Sequence, residues 1–311
     1  MKRVFIDGSA GTTGLRIGQR LAGRGDIELV ALPEALRKDP AARRDALNGA
    51  DIAFLCLPDA AAIEAVGLVD NPDTAVIDTS TAHRTAPGWV YGFAELDGQR
   101  ERIAAAKRIA NPGCHASGFV ALVAPLVRAG LLARDAELSC FSLTGYSGGG
   151  KKMIAQYEAE GRDALLDGPR QYGLGQTHKH LPEMAALCGL ERAPIFCPIV
   201  ADFYSGMEVT VPVFAGQLAG GAEDVKAVYR RCYAGPVVRF AEAADEGGFL
   251  SAAAFSGRDD MQVTVAGNGE RLLLVARFDN LGKGASGAAI QNMNLLLGAR
   301  ETEGLVIASD E

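Results

Sequence analysis

Cysteine pairs at CxxC spacing are missing from this 311-residue chain, and so is any cysteine–histidine pattern at zinc-ligand spacing. The six cysteines, Cys56, Cys114, Cys140, Cys188, Cys197 and Cys232, stand apart from one another. That argues against a thiol redox pair and against a bound metal, and scattered thiols fit a reducing cytoplasm. Long apolar runs are missing too. No stretch reaches the ~18 residues that a membrane span needs. The opening "MKRVFIDGSAG" has only a short apolar run before its glycines, and reads as a first strand and not as a secretion signal. Basic excess is absent as well: 31 Lys and Arg face 38 Asp and Glu, for a net charge of −7. This balance lacks the footprint of a nucleic-acid binder, although basic residues lining one pocket can still receive a small anion. Histidine is scarce, with only His83, His115, His178 and His180.

The length exceeds what one hydrophobic core usually supports, so two domains are expected. In the first part, strands are expected at 3–8, 27–33, 50–58, 74–80 and near 108–110, with helices at 12–24 and 60–69. Strands alternating with helices predict a parallel α/β sheet. After Cys114 the texture changes. A helix is expected from His115, then a strand over 136–150 running into a glycine-rich loop. Strand-like stretches "APIFCPIVADF", "SGMEVTVPVFA" and "MQVTVAGNGERLLLVARFD" follow, the last folded at "AGNGE" as a hairpin. This half reads as α+β with a mixed or antiparallel sheet. The stretch "GAAIQNMNLLLGAR", Gly287 to Arg300, reads as a helix again.

Three segments carry chemistry. "DGSAGTTG" spaces Gly8, Gly11 and Gly14 between the first strand and the first helix. Glycines there allow a tight turn and close approach of backbone N–H groups to a pyrophosphate, and Ser9, Thr12 and Thr13 add hydroxyls. At the end of the second strand, Glu34 would suit the ribose of NAD, whereas Arg37 and Lys38 would attract the 2′-phosphate of NADP. The basic pair tips the reading to NADP. "DTSTAHR", at the carboxyl end of the fourth strand, brings Ser80, Thr81 and Arg84, binders of phosphate or carboxylate by chemistry. "TGYSGGGKK" is a second glycine-rich stretch, followed by two lysines.

In "NPGCHASGF", a Pro112–Gly113 turn sets Cys114 at the mouth of a helix. The helix N-terminus favours thiolate over thiol, which marks Cys114 as a nucleophile and not merely a packed cysteine. Its base is sought in "THKHLPEM". On an extended chain His178 and His180 would point the same way, and Glu183 can orient an imidazole. His115, next to Cys114, is expected to be directed elsewhere. A thiolate alone gives hydrolysis and a dinucleotide alone gives alcohol–ketone exchange. Together they fit interconversion of an aldehyde and an acyl derivative through a thioester.

These motifs, with "GYSGGGK" and "GKGASGAAIQNMN", resemble over nearly the whole chain the N-acetyl-γ-glutamyl-phosphate reductases in their shorter form, within the semialdehyde dehydrogenase superfamily. The residue after the motif cysteine, often tyrosine in the family, is His115 here. The resemblance implies a Rossmann-type dinucleotide-binding domain over 1–113, completed by a C-terminal helix 287–311. The inserted α+β domain, 114–286, would serve catalysis and dimerisation. It implies Cys114 as nucleophile, one histidine of the His178/His180 pair as acid/base, with His180 favoured and Glu183 in support, and NADPH held by the glycine loop, Arg37, Lys38, Ser80 and Asn292. An acyl phosphate substrate would meet Arg84, Asn111, Ser147, Gly148 and Lys151. The implied reaction reduces N-acetyl-γ-glutamyl phosphate to the semialdehyde in arginine biosynthesis, with aspartyl or aminoadipyl phosphate as the alternative substrates. Assembly as a homodimer or homotetramer is implied as well.

Overall fold

A computed structural model describes residues 1–308. The chain divides into two compact units. One comprises Met1–Ala94, Gly98–Gly113 and Ala285–Leu305; the other comprises Glu95–Asp97, Cys114–Gly284 and, of the described residues after these, 306–308.

In the first unit, strands β1 (Lys2–Asp7), β2 (Ile27–Val30), β3 (Ile52–Leu55), β4 (Ala75–Asp78), β5 (Val90–Tyr91) and β6 (Arg108–Ala110) form one sheet. Its order is β2-β1-β3-β4-β6-β5, parallel throughout. The strands are apolar on both faces because both are covered. Val4, Ile6, Phe54, Ile77 and Ile109 pack with Ile17 and Leu21 of α1 (Thr12–Leu21), and with Ala289, Ile290 and Met293 of the late helix Gly287–Leu297. Their strand neighbours Phe5, Ala53, Leu55 and Val76 point the other way. They meet Ala46 and Leu47 of α2 (Pro40–Asn48) and Ala65 of α3 (Asp59–Val66). A further helix, α4 (Gln99–Ala104), adds Ile103 to the first face. The α/β expectation holds, with α2, α4 and β5 added.

One boundary differs from expectation. The late helix stops at Leu297, not at 311, because Gly298 takes the left-handed conformation (φ 62°) and turns its N–H back onto the Leu295 carbonyl. The chain then continues in turns, and Leu305 packs back on the same core. Residues 309–311 of the expected helix lie outside the described residues.

In the second unit, β7 (Ser139–Gly145), β8 (Arg170–Gln171), β9 (Ile195–Ala201), β10 (Met207–Phe214), β11 (Val238–Ala241), β12 (Met261–Gly267) and β13 (Arg271–Phe278) form a mixed sheet of order β11-β12-β13-β10-β7-β9-β8. Strand alternation splits it cleanly. Cys140, Ser142, Thr144, Phe196, Val209 and Val211 lie on a covered face, whereas Phe141, Ile195, Phe214 and Leu273 are exposed on the other. Helices α5 (Cys114–Arg128), α6 (Gly150–Tyr157), α7 (Leu181–Cys188) and α8 (Ala222–Cys232) complete the unit. The glycine-rich stretch after β7 is not an open loop. It is a tight 3₁₀ turn, Tyr146–Gly149, that leads straight into α6.

Helix α5 is the buried spine. Gly118 lets it touch the sheet: a Cβ there would lie 2.5 Å from Val209 Cγ2. Pro125 sits inside the helix and has no N–H to give Ala121, its partner four residues back. The Tyr233 hydroxyl donates to that Ala121 carbonyl, and the Tyr229 hydroxyl of α8 to the Leu122 carbonyl. Both rings are buried. Removing the Tyr233 hydroxyl is expected to cost about 1–3 kcal/mol, the penalty of an unsatisfied buried carbonyl. The check is a double-mutant cycle by denaturant unfolding. Tyr233→Phe should destabilise the protein, and that penalty should shrink in a Pro125→Ala background, which restores the helical N–H. An unchanged penalty in that background would show that the hydroxyl does something other than replace the missing helical bond.

Candidate active site

In the first unit the glycine loop closes as a tight turn. Gly8 has φ 85°, and a Cβ there would lie 2.2 Å from the Cys56 carbonyl oxygen. A Cβ at Gly14 would lie 2.5 Å from the Gly8 oxygen. Gly11 caps α1, its N–H donating to the Gly8 carbonyl at 3.0 Å. Ser9, Thr12 and Thr13 are half-buried along this turn. The cradle is one that side chains would fill, which fits a pyrophosphate held by backbone N–H groups at a helix N-terminus. Arg37 and Lys38 are exposed just past the 3₁₀ turn Glu34–Leu36, and Glu34 is exposed beside them.

At the end of β4, Asp78 is fully buried and gathers its own loop. It accepts from Ser80 N–H (2.9 Å) and Ser80 Oγ (2.7 Å), and its Oδ2 lies 2.6 Å from His83 Nδ1. His83 stacks on Trp89 at 4.1 Å. The Ser80 hydroxyl is therefore engaged within the loop. Arg84 is buried, its Nε donating to the Asn111 carbonyl at 3.0 Å and its Nη2 to the Thr79 carbonyl at 3.2 Å. Asn111 and Asn292 lie together, with Asn292 Nδ2 donating to the Gly92 carbonyl (3.0 Å) and to Asn111 Oδ1 (3.2 Å). Gly92, which sequence reasoning passed over, permits this: a Cβ there would lie 2.2 Å from Asn292 Nδ2. The carbonyl of Gly92 fixes which end of the Asn292 amide faces it. Asn292 Oδ1 is left buried with no hydrogen-bond partner among the described residues. An unfilled acceptor of this kind fits a carboxamide donor such as that of nicotinamide.

In the second unit, Cys114 is the first residue of α5 and is half-buried. Gly284, from the "GKGAS" turn Gly282–Ser286, presses against it; a Cβ at Gly284 would lie 2.9 Å from the Cys114 Cβ. That turn is pinned on both sides. Buried Asp279 accepts the N–H of Leu281 (2.6 Å) and of Gly282 (3.1 Å), and Lys283 Nζ meets both oxygens of Glu95 at 2.9 and 2.7 Å. Lys283 and Glu95 are buried together, so each neutralises the other's charge.

His178 and His180 are brought together differently from the extended chain that was expected. His180 has helical angles (φ −85°, ψ −13°) and caps α7, and a turn, not strand alternation, sets the two rings 4.7 Å apart at 86°. The His180 N–H donates to His178 Nδ1 at 3.2 Å. Glu183 is buried in the first turn of α7. His115 is the clearest correction. It does not turn away but lies buried 5.7 Å from the His178 ring and 5.5 Å from the His180 ring, with Phe196 at 5.3 Å. Its Nδ1 is 2.6 Å from Ser142 Oγ and its Nε2 is 2.6 Å from the Tyr172 hydroxyl. Burial first, and then the nearby His178, push its pKa down to about 3, so the ring is neutral at physiological pH. Burial, with the charge of Cys114 second, pushes the Tyr172 hydroxyl up. Ser142 and Tyr172 stand in no motif, and only the position of His115 beside the motif cysteine hinted at them. Ser147 is buried and its Oγ accepts from Asn280 Nδ2 at 3.0 Å, whereas Gly148 and Lys151 are exposed.

Two family models match the chain: the NAD binding domain of semialdehyde dehydrogenases over residues 18–106, and their dimerisation domain over residues 114–280. N-acetyl-γ-glutamyl-phosphate reductase 2 of Pseudomonas putida is 46% identical over 97% of this chain and 98% of its own length. The N-acetyl-γ-glutamyl-phosphate reductase of Sinorhizobium fredii is 48% identical over 96% of this chain and 99% of its own. The chain belongs to the N-acetyl-γ-glutamyl-phosphate reductase family. Among solved structures, aspartate semialdehyde dehydrogenase II of Vibrio cholerae matches with a TM-score of 0.71 over 96% of this chain and 98% of its own, at 16% identity. That likeness shows a shared fold, and the match to the NAD binding domain family gives this chain a nicotinamide dinucleotide site. No helix among the described residues is long and apolar enough to cross a membrane.

The thiols differ in a way that alkylation reads directly. Burial pushes Cys56 up to about 12, and it also pushes Cys140, Cys188 and Cys232 up. A thiol with a raised pKa stays protonated and slow at neutral pH. Iodoacetamide at pH ~7 is expected to label Cys114 first, at a helix N-terminus that favours thiolate, as read by peptide mass spectrometry of timed samples. Earlier labelling of Cys56 or Cys140 would contradict this ordering.

Proposed function

We propose that this protein is an NADP-dependent N-acetyl-γ-glutamyl-phosphate reductase of arginine biosynthesis, acting in the cytoplasm. The observation that carries the reading is Cys114 at the start of α5, in the same unit as the His178–His180 pair, in a chain 46% and 48% identical to named reductases. Cys114 sulfur attacks the acyl carbon of the substrate; the carbon–sulfur bond forms, the bond to the phosphate oxygen breaks, and phosphate leaves. NADPH, when bound, supplies a hydride. His180 protonates the acyl oxygen as the carbonyl is reduced, then takes that proton back as the carbon–sulfur bond breaks to release aldehyde and thiolate. His178, whose Nδ1 already accepts a backbone N–H, serves to orient, and Glu183 supports His180.

The remaining roles follow the chemistry of each group. In the first unit, taken as the dinucleotide-binding domain of residues 1–113 with the late helix, Gly8, Ser9, Gly11, Thr12, Thr13 and Gly14 hold the pyrophosphate. Arg37 and Lys38 meet the 2′-phosphate, and Ser80 and Asn292 the nicotinamide end. Arg84 and Asn111 are substrate residues of that unit. Ser147, Gly148 and Lys151 are those of the catalytic and dimerisation domain, residues 114–286. A homodimer or homotetramer assembled through the open face of the second sheet is supported by its exposed side chains, Phe141 (46%), Ile195 (63%), Phe214 (66%) and Leu273 (42%).

The test runs the reaction backwards. NADP reduction is followed with phosphate and, in parallel, N-acetylglutamate, aspartate or aminoadipate semialdehyde. Phosphate-dependent turnover with the N-acetylglutamate compound in clear excess is expected, and preference for either of the others would overturn the substrate assignment. In the same assay, Arg37→Ala/Lys38→Ala should weaken NADP by about tenfold or more while leaving NAD unchanged, since a charge-assisted hydrogen bond contributes ~1.5–3 kcal/mol. Equal use of NADP and NAD by the unmodified protein would remove the premise.

A further inference from the structure

The geometry points to His115 as a positioning residue: Ser142 locks its ring as the Nε2–H tautomer, and the ring in turn leaves the Tyr172 hydroxyl hydrogen free to be donated at Cys114. The inference rests on the reading of Cys114 as nucleophile, and it deepens that reading by naming what holds a donor beside the sulfur.

The direction of the chain of hydrogen bonds can be worked out from its buried end. Ser142 lies on the covered face of β7 with 0% exposure. A hydroxyl in a dry site must place its hydrogen on an acceptor, or a penalty of about 1–3 kcal/mol follows. Among the described residues the acceptor in reach of Ser142 Oγ is His115 Nδ1, at 2.6 Å. Ser142 therefore donates to Nδ1. A neutral imidazole that accepts at one nitrogen carries its hydrogen on the other. So His115 donates Nε2–H to the Tyr172 oxygen, also at 2.6 Å. The Tyr172 oxygen is then an acceptor toward His115, and its own hydrogen points to some other partner.

In the proposed arrangement that hydrogen is offered to Cys114, the first residue of α5. His115 follows Cys114 directly in α5, and its ring, the Tyr172 hydroxyl and the His178 and His180 rings form one cluster in the same unit. Burial first, and then the charge of Cys114, push the Tyr172 hydroxyl up, which agrees with this placement. A donor fixed there stabilises negative charge on the sulfur or on the acyl oxygen bound to it. Each link in the chain polarises the next, so the neutral imidazole works as a relay of orientation and not as a base. Its burial, and then the nearby His178, keep a second proton away.

The experiment has two arms. Nitrogen-15 NMR of histidine-labelled protein, with His115 assigned by its loss in His115→Gln, reports the tautomer in the resting protein. The Nε2–H form is expected and the Nδ1–H form would overturn the proposal. The second arm measures the alkylation rate of Cys114 at one neutral pH. Tyr172→Phe should slow it by about tenfold, the equivalent of one pKa unit. Ser142→Ala should slow it by less, and the double variant should match Tyr172→Phe alone. Independent, additive effects, or no effect of Tyr172→Phe, would contradict a coupled chain. Both readouts need no substrate, so a failed semialdehyde assay would fall on the proposed function and leave this result standing.

Discussion

A cysteine at a helix N-terminus can use the helix's field only if the helix cannot move, and the second unit is organised around that constraint. Gly118 seats α5 against β10, the Tyr233 hydroxyl serves the Ala121 carbonyl that Pro125 leaves short, and the Tyr229 hydroxyl ties the Leu122 carbonyl to α8. At the other end, Gly284 closes on the Cys114 Cβ from a turn tied down by Asp279 and by the buried Lys283–Glu95 pair. A buried ion pair is weak evidence of stability, but breaking one partner is costly, so it pins geometry. Here what it pins is the turn against the reactive carbon–sulfur arm.

The first unit meets a different demand with similar means. Its glycine loop has no room for side chains at Gly8 and Gly14, which leaves backbone N–H groups to face an anion. Asp78 and Arg84 are turned inward to hold their loop, so much of "DTSTAHR" organises backbone as well as any ligand. Asn292 is held by Gly92 with one acceptor left over, a buried polar atom of the sort that native interiors rarely leave unfilled without a reason.

The parallel sheet was legible because its strands are apolar on both faces and its helices fall between them at short intervals. The nucleophile was legible because Pro112, Gly113 and Cys114 are contiguous. Features that depend on contacts distant in sequence were not. Nothing near Gly92 announces Asn292, 200 residues away. His115 was expected to face elsewhere because neighbouring helix residues diverge, yet β7 and α7 wrap the same turn and enclose its ring. The histidine pair was expected on an extended chain, and its turn is set instead by the start of α7 at Leu181–Pro182. Gly298 stands in an apolar helical stretch that does not mark it as a stop, and only its left-handed conformation ends the late helix there.

The account stands or falls on a covalent bond to Cys114. The direct measurement is rapid-quench mass spectrometry of the protein mixed with N-acetyl-γ-glutamyl phosphate and no dinucleotide, alongside phosphate release, in the unmodified protein and in His180→Asn. One acyl group per chain on the Cys114 peptide, formed together with one phosphate and persisting in His180→Asn, is the predicted result. Phosphate release without an adduct, or an adduct on any other residue, would contradict it.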